Sequence, residues 1–433
     1  MTVPPPGHGT PPGHGTPPGH GPAPGYGPPP GQSAEPWGPG MAAPHHRPWA
    51  VSQRRRVYPP VILLVLMAAL ILPLLGLTVF GAGPVPTALG TFFALLPVLP
   101  VVGVFLWLDR WEPEPGRLLL TAFLWGAGVS TVAALVSSFV LDLAWVAVTG
   151  VEAGDALGGI VTAPVVEEGF KGLFLLILVL AKRREFDGIV DGIVYAGLVG
   201  VGFAFTENIL YLGTAFSEDG LQGGLVLFGL RCVLSPFAHP MFTAMTGLAV
   251  GAMTRSTNPA RFLLPVLGYL AAVFLHALWN GSAFLFSGAG FLAFYVVVMV
   301  PLFIGLAIIV IWQRKRERRI VAIQLPGFVA AGWVWPDEVR LLASLSGRRG
   351  WRRAVKARWG ADAAKAVRDY QTAVTELAFF ADRAARGAVG RDGAQWHGEL
   401  VTALLAARHN LSSGHPQALA TASSSVRPIR SYG

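Results

Sequence analysis

The chain has little charge and almost no cysteine. Asp, Glu, Lys and Arg make up 13% of its 433 residues, where ordinary soluble domains carry roughly 25%. That scarcity excludes the usual water-facing surface. The single cysteine, Cys232, excludes an internal disulfide framework. It lies in an apolar stretch and reads as a packing residue. No apolar segment opens the N-terminus, so no signal peptide is expected there. Export then falls to the first apolar run. Acidic residues number 24 against 33 basic ones, a net charge of +9. The basic residues cluster beside apolar runs. That suits membrane topology and anionic lipid at the cytoplasmic face, and argues against nucleic acid as a partner.

Apolar residues are abundant: 53% of the chain, with a mean hydropathy of +0.53. Residues 1–56 are the exception. Pro5-Pro6-Gly7-His8-Gly9-Thr10 recurs at 11–16 and again in part from Pro17. Such a Pro/Gly/His tail buries no core, and a disordered cytoplasmic linker is expected. His8, His14 and His20 offer weak metal binding at most. From residue 58, runs long enough to cross a bilayer recur, about 20 residues being needed for roughly 30 Å of hydrocarbon. Eight are counted, at 58–80, 88–108, 118–146, 161–181, 189–212, 225–253, 262–286 and 289–312. The expected fold is an all-α polytopic membrane protein with its transmembrane domain over 57–312.

Loop charges alternate. Arg54–Arg56, Asp109–Arg117, Lys182–Arg184, Arg255 with Arg261, and Arg314–Arg319 carry the basic residues. Loops 81–87, 147–160, 213–224 and 287–288 hold no Lys or Arg. The positive-inside rule then puts both termini in the cytoplasm of a multi-pass cell-membrane protein. Residues 313–410 are expected to form a basic cytoplasmic helical domain. Its apolar positions Val339, Leu342, Leu345, Val374, Leu377, Phe380, Leu400 and Leu404 recur at helical spacing. Arg348, Arg349, Arg352, Arg353, Lys356 and Arg358 make a basic face, suited to anionic lipid or to water. Residues 411–433 read as a disordered tail.

Ionisable residues inside the apolar runs are the exceptions to explain, because a charge within the bilayer is costly and marks function by default. Pro164-Val165-Val166-Glu167-Glu168-Gly169-Phe170-Lys171 opens the fourth run. Glu167 stands six residues in from Val161, about 9 Å along a helix. The fifth run carries Phe203, Glu207 and Asn208, with Glu207 near its outer end. The sixth carries Pro236, His239, Pro240 and Thr243, and the seventh His276 and Asn280. Residues four apart share a helix face. That pairs Glu167 with Lys171, Phe203 with Glu207, His239 with Thr243, and His276 with Asn280. Pro236 and Pro240 should break the sixth helix and require a lined cavity near His239. Any one of these residues alone reads as a packing clamp or a satisfied hydrogen bonder. Together, carboxylates, imidazoles and one lysine converging from four helices read as a functional site.

The chemistry that fits is hydrolytic. A buried Glu beside water and imidazoles can act as general base. Two His with Glu suit zinc, whose bound water becomes a nucleophile. His276 or Asn280 could donate to an oxyanion. No His-Glu-x-x-His, Gly-x-Gly-Asp or Gly-x-Ser-Gly motif occurs, so other intramembrane hydrolases fit poorly.

The ordered set Glu167-Glu168-x-x-Lys171, Phe203-x-x-x-Glu207-Asn208, His239-x-x-x-Thr243 and His276-x-x-x-Asn280 resembles the PrsW family of intramembrane proteases. That family falls within the wider group that includes the CAAX prenyl endopeptidases. Asp109-Arg110-x-Glu112-Pro113-Glu114-Pro115 resembles a further element of it, and the resemblance covers about 58–312. It implies an intramembrane endopeptidase for membrane-anchored protein substrates, such as an anti-sigma factor at its first cut. It implies Glu167 and Glu168 as the catalytic pair, one of them the general base. Glu207, His239 and His276 would then position water or a metal, with zinc as the candidate cofactor. Asn280 would be an oxyanion donor, Lys171 would keep the pair ionised, and Asn208 and Thr243 would support them. The prenyl endopeptidases have a His where Glu207 stands, which argues against prenylated substrates. The orientation adds that cleavage is expected near the extracytoplasmic side. Two alternatives are a non-catalytic membrane scaffold of the same fold and a proton-coupled transporter with a carboxylate–His relay. The intact Glu-Glu, Glu, His, His set weighs against the first. The lack of an internal repeat, and of a polar path to the inner side, weighs against the second.

Overall fold

The computed structural model describes residues 59–182, 186, 188–286, 288–390 and 392–424. Among the described residues the chain is helical and forms no strand. The membrane region comprises α1 (Val61–Ala82), α2 (Pro84–Leu108), α3 (Gly116–Thr149), α4 (residues 151–181), α5 (Ile189–Glu218), α6 (Gly220–Arg255), α7 (Pro259–Leu285) and α8 (Ala289–Ala330). Then follow α9 (Pro336–Leu342), α10 (Leu345–Ala385), α11 (Gly393–Gly414) and α12 (Pro416–Ser424). Seven of the first eight are long and apolar enough to cross a membrane. The other is α4, which carries Glu167, Glu168 and Lys171 in its apolar stretch. The protein is an all-α, multi-pass membrane protein. The expected tail at 1–56, with Arg54–Arg56, lies outside the described residues.

α5 is the axis of the bundle. Most of it is buried, whereas the other spans leave large apolar side chains such as Leu66, Phe80, Phe139 and Phe274 exposed, as a lipid-facing surface would. α5 meets the second half of α6 through glycines. A Cβ on Gly192 would stand 2.0 Å from the Gly247 carbonyl oxygen, and one on Gly200 only 2.9 Å from the His239 carbonyl carbon. Small residues let backbones approach where no hydrophobic force drives helices together. Here they seat His239 against α5.

Two features of these spans are informative. α6 breaks at Ser235–Phe237, after a π-helical turn over Gly229–Leu234, and resumes at Ala238. This is the break expected from Pro236 and Pro240. A cavity of about 30 Å³ sits beside it, lined in part by Asn208, Arg231, Ser235 and His239. α5, by contrast, runs to Glu218 rather than ending at 212. No breaker intervenes before Gly220, which takes a φ of +67°. Glu207 therefore lies well inside the helix, which corrects its expected place near the outer end.

The segment 109–115 joins the membrane bundle to the C-terminal helices. Asp109 Oδ2 accepts the Glu114 N–H at 2.9 Å, and Glu114 Oε2 accepts the Tyr195 hydroxyl at 2.9 Å. Trp111 belongs to the C-terminal core, with Ile320, Leu342, Trp351, Tyr370, Leu377 and Leu404. Arg255 of α6 donates to Asp382 of α10 at 3.0 Å.

The C-terminal helices differ from expectation in two places. Arg348 does not join the basic face: it is buried, donates to the carbonyls of Leu342 and Gln371 and to Thr375, and lies over the Trp111 ring. Arg349, Arg353, Lys356 and Arg358 remain exposed. Residues 411–424 are helical instead of disordered. Leu411, Ala418 and Ala422 are buried, and Trp351 Nε1 donates to the Ala418 carbonyl. Residues 425–433 lie outside the described set.

Candidate active site

Four spans deliver polar side chains to one place. In α4 a π-helical turn over Gly158–Thr162 leads into the regular helix, with Pro164 at its start, where a missing N–H costs nothing. Glu167, Glu168 and Lys171 then fall on one buried face. Lys171 is completely buried. Its three N–H groups go to Glu167 Oε2 at 3.1 Å, Glu168 Oε1 at 2.9 Å and His239 Nδ1 at 3.2 Å. The ammonium also lies 3.7 Å from the centroid of the Phe203 ring, a favourable cation–π position.

The two adjacent glutamates differ in surroundings. Glu168 is enclosed, with both oxygens engaged. Oε1 faces Lys171 and His276 Nδ1 (3.1 Å), and Oε2 accepts the Thr243 hydroxyl at 2.9 Å. Glu167 instead lines a groove of about 510 Å³, together with Glu207, and His276 Nε2 lies 3.8 Å from its Oε2.

The imidazoles are held from behind by carboxylates. His239 Nε2 is 2.8 Å from Glu207 Oε2, and His276 Nδ1 is the nitrogen facing Glu168. A carboxylate neighbour puts the proton on the nitrogen it meets. That leaves Nδ1 of His239 and Nε2 of His276 as lone-pair donors. The two rings stand edge to face at 5.0 Å, and Phe242 stacks on His276 at 5.0 Å.

Glu167, Glu168, Lys171, Glu207, His239, Thr243 and His276 thus form one network, as do the spans that carry them. Two expected residues behave differently. Asn280 donates one amide N–H to the Gly159 carbonyl at 2.9 Å, so it ties α7 to the start of α4. Asn208 accepts from Arg231 Nε at 2.7 Å and contacts Cys232 Sγ at 3.5 Å. Arg231 is the residue that sequence reasoning missed. Its guanidinium donates to Glu207 Oε2 and lies 4.3 Å from the Tyr211 ring centroid. The signal was available: a lone cation within an apolar run, the reasoning applied to Lys171.

A metal could be held by Glu167, His239 and His276, whose donor atoms all lie within 4.8 Å of one another. This revises the expected set, which had Glu207 in place of Glu167. Glu207 is drawn away by Arg231 and sits behind His239. The donor chemistry fits a zinc-like ion: two imidazoles and a carboxylate, each imidazole backed by a second carboxylate as ligating histidines usually are. One condition attaches. Lys171 donates to His239 Nδ1 and to Glu167, and would have to release both to such an ion.

Residues 114–306 match the model for PrsW family intramembrane metalloproteases. This membrane region is similar to the PrsW family. The curated relatives include Protease PrsW of Oceanobacillus iheyensis, 34% identical over 35% of this chain and 62% of the relative. Protease PrsW of Geobacillus kaustophilus is 29% identical over 42% of this chain and 75% of the relative. Protease PrsW of Bacillus subtilis is 24% identical over 53% of this chain and 96% of the relative. The chain therefore spans less than two thirds of the Oceanobacillus PrsW. No solved structure matches it. The PrsW match includes every member of the polar network, Arg231 among them, and stops before α9 to α12.

Proposed function

We propose that the chain is an intramembrane endopeptidase that hydrolyses a peptide bond of a membrane-anchored protein near the extracytoplasmic side. The observation that carries this reading is the contrast between the paired glutamates. Glu168 is enclosed and engaged on both oxygens, whereas Glu167 lines the groove. Glu167 is the general base. It takes a proton from water as the water oxygen bonds to the scissile carbonyl carbon, then passes that proton to the amine as the C–N bond breaks. Glu168 anchors Lys171 and the His276 tautomer, and the Lys171 ammonium in turn holds Glu167 through its Oε2. Arg231 and Glu207 orient His239.

If zinc is bound, Glu167, His239 and His276 hold it, and the ion supplies an acidified water and a Lewis acid for the carbonyl. Glu167 would then be a ligand, so metal content per chain separates its two roles. The positive-inside pattern supports cytoplasmic termini, with the exposed face of Arg349, Arg353, Lys356 and Arg358 towards anionic lipid. An anti-sigma factor at its first cut fits the family resemblance as substrate.

The test is cleavage of single-span reporter polypeptides by the full chain reconstituted in vesicles, with bound metal measured alongside. The wild type should cut. Glu167→Gln should lower the rate by about a hundredfold or more, as expected for loss of a general base. Cleavage by Glu167→Gln at the wild-type rate overturns the reading.

A further inference from the structure

α5 is buried along most of its length, yet one stripe of it stays uncovered. From Glu207, the partly or fully exposed positions of α5 are Leu210, Tyr211, Thr214, Ser217 and Glu218, at the spacing of a single helix face. Leu135 and Ser138 of α3 form the opposite wall of the groove, Glu167 and Glu207 lie at one end of the stripe, and Glu218 and Asp219 at the other. Its walls are largely apolar, its lining contains no Lys or Arg, and all four of its ionisable groups apart from Tyr211 are carboxylates.

We propose that this groove receives the extended outer juxtamembrane segment of the substrate, and that Glu218 and Asp219 select Lys or Arg about five residues from the scissile bond. This rests on the proteolytic reading of the cluster. A carbonyl inside a helix is hydrogen-bonded and screened, so the segment that meets Glu167 has to be unwound. The hydroxyls of Ser138 and Thr214 stand along the walls to serve its freed backbone groups. The eleven residues from Glu207 to Glu218 rise about 16 Å. An extended chain at roughly 3.3 Å per residue covers that distance in about five residues. A lipid acyl chain would match the apolar walls but gain nothing from two carboxylates at the end.

Cross-linking tests this without requiring turnover. Cys232, the sole cysteine, is buried, so Thr214→Cys introduces one reactive thiol in the groove. The full chain carrying Thr214→Cys and Glu167→Gln is reconstituted in vesicles with a single-span polypeptide. The probe bears one cysteine in its outer juxtamembrane segment, beside either Lys-Lys or Glu-Glu. With diamide as oxidant, the Lys-Lys probe should form the mixed disulfide about tenfold more than the Glu-Glu probe, a difference of about 1.4 kcal/mol. Glu218→Gln with Asp219→Asn should remove the preference, and Glu218→Lys with Asp219→Lys should reverse it. Equal capture of both probes by the Thr214→Cys chain overturns the proposal. So does capture of neither while a maleimide-bearing lipid labels the same thiol, which would make lipid the occupant. With Glu167 restored, a probe that is captured yet never cut would count against hydrolysis and leave the groove assignment standing.

Discussion

Lys171 is the residue on which the site closes, because its ammonium donates to Glu167, Glu168 and His239 at once. Removing one member of a buried ion pair leaves an uncompensated charge, typically a loss of about 3–5 kcal/mol. Glu168→Gln should therefore lower the thermal unfolding midpoint in detergent by several degrees, while Glu167→Gln, at the groove, should lower it much less. Equal losses would contradict the division between the two. Arg231→Met should free Glu207 and let His239 turn. We expect activity to fall about 10–100-fold, the usual range for losing a carboxylate-side support, with Arg231→Lys recovering part of it. At this scale the sequence was legible where spacing decides the partner, as for Glu167 and Lys171 on one helix. It was not legible where the partner comes from another helix. Asn280 shares a face with His276, but Gly159 of α4 takes its amide. Arg231 reaches Glu207 only because a π-helical turn carries it.

The element that sets the site is α5, and Gly200 is its most sensitive point. A methyl there would press on the backbone at His239 and Pro240. Gly200→Ala should shift α6 away from α5, an overpacking cost of about 1–3 kcal/mol. The expected result is unchanged helix content by circular dichroism with at least about a tenfold loss of cleavage, since His239 moves off Lys171 and Glu207. Hydropathy made the spans readable, and Pro236 made the break in α6 readable. The far end of α5 was hidden because Gly213 and Thr214 lower the hydropathy while the helix hydrogen bonds continue to Asp219, whose N–H donates to the Ala215 carbonyl. α12 was hidden because an Ala-rich helix is nearly neutral in pattern. Its Ala418 and Ala422 are buried only by docking on distant residues such as Trp351.

Across the whole molecule, the junction at Asp109 couples the membrane bundle to α10. Burial pushes the Asp109 carboxyl up to about 8; the Glu114 N–H opposes this and the Asp191 charge adds to it. Burial, then the charges of Glu376 and Asp191, raises Glu112 as well. For Asp109 the folded chain keeps a proton that the unfolded chain releases near pH 4. Stability should therefore fall as pH rises from about 4 to about 8 and level off above. Thermal unfolding should show this slope in the wild type and a flatter one in Asp109→Asn, which keeps an acceptor for the Glu114 N–H. A midpoint that rises with pH over that window would contradict the assignment. We propose that Glu167 works on peptide bonds of membrane-anchored proteins. This is tested most directly by mapping new protein N-termini in membranes of cells expressing the wild type or Glu167→Ala. New termini are expected in the outer half or outer juxtamembrane segment of single-span proteins, present with the wild type and absent with Glu167→Ala. Identical N-termini in both, or cuts confined to the cytoplasmic half, would contradict it.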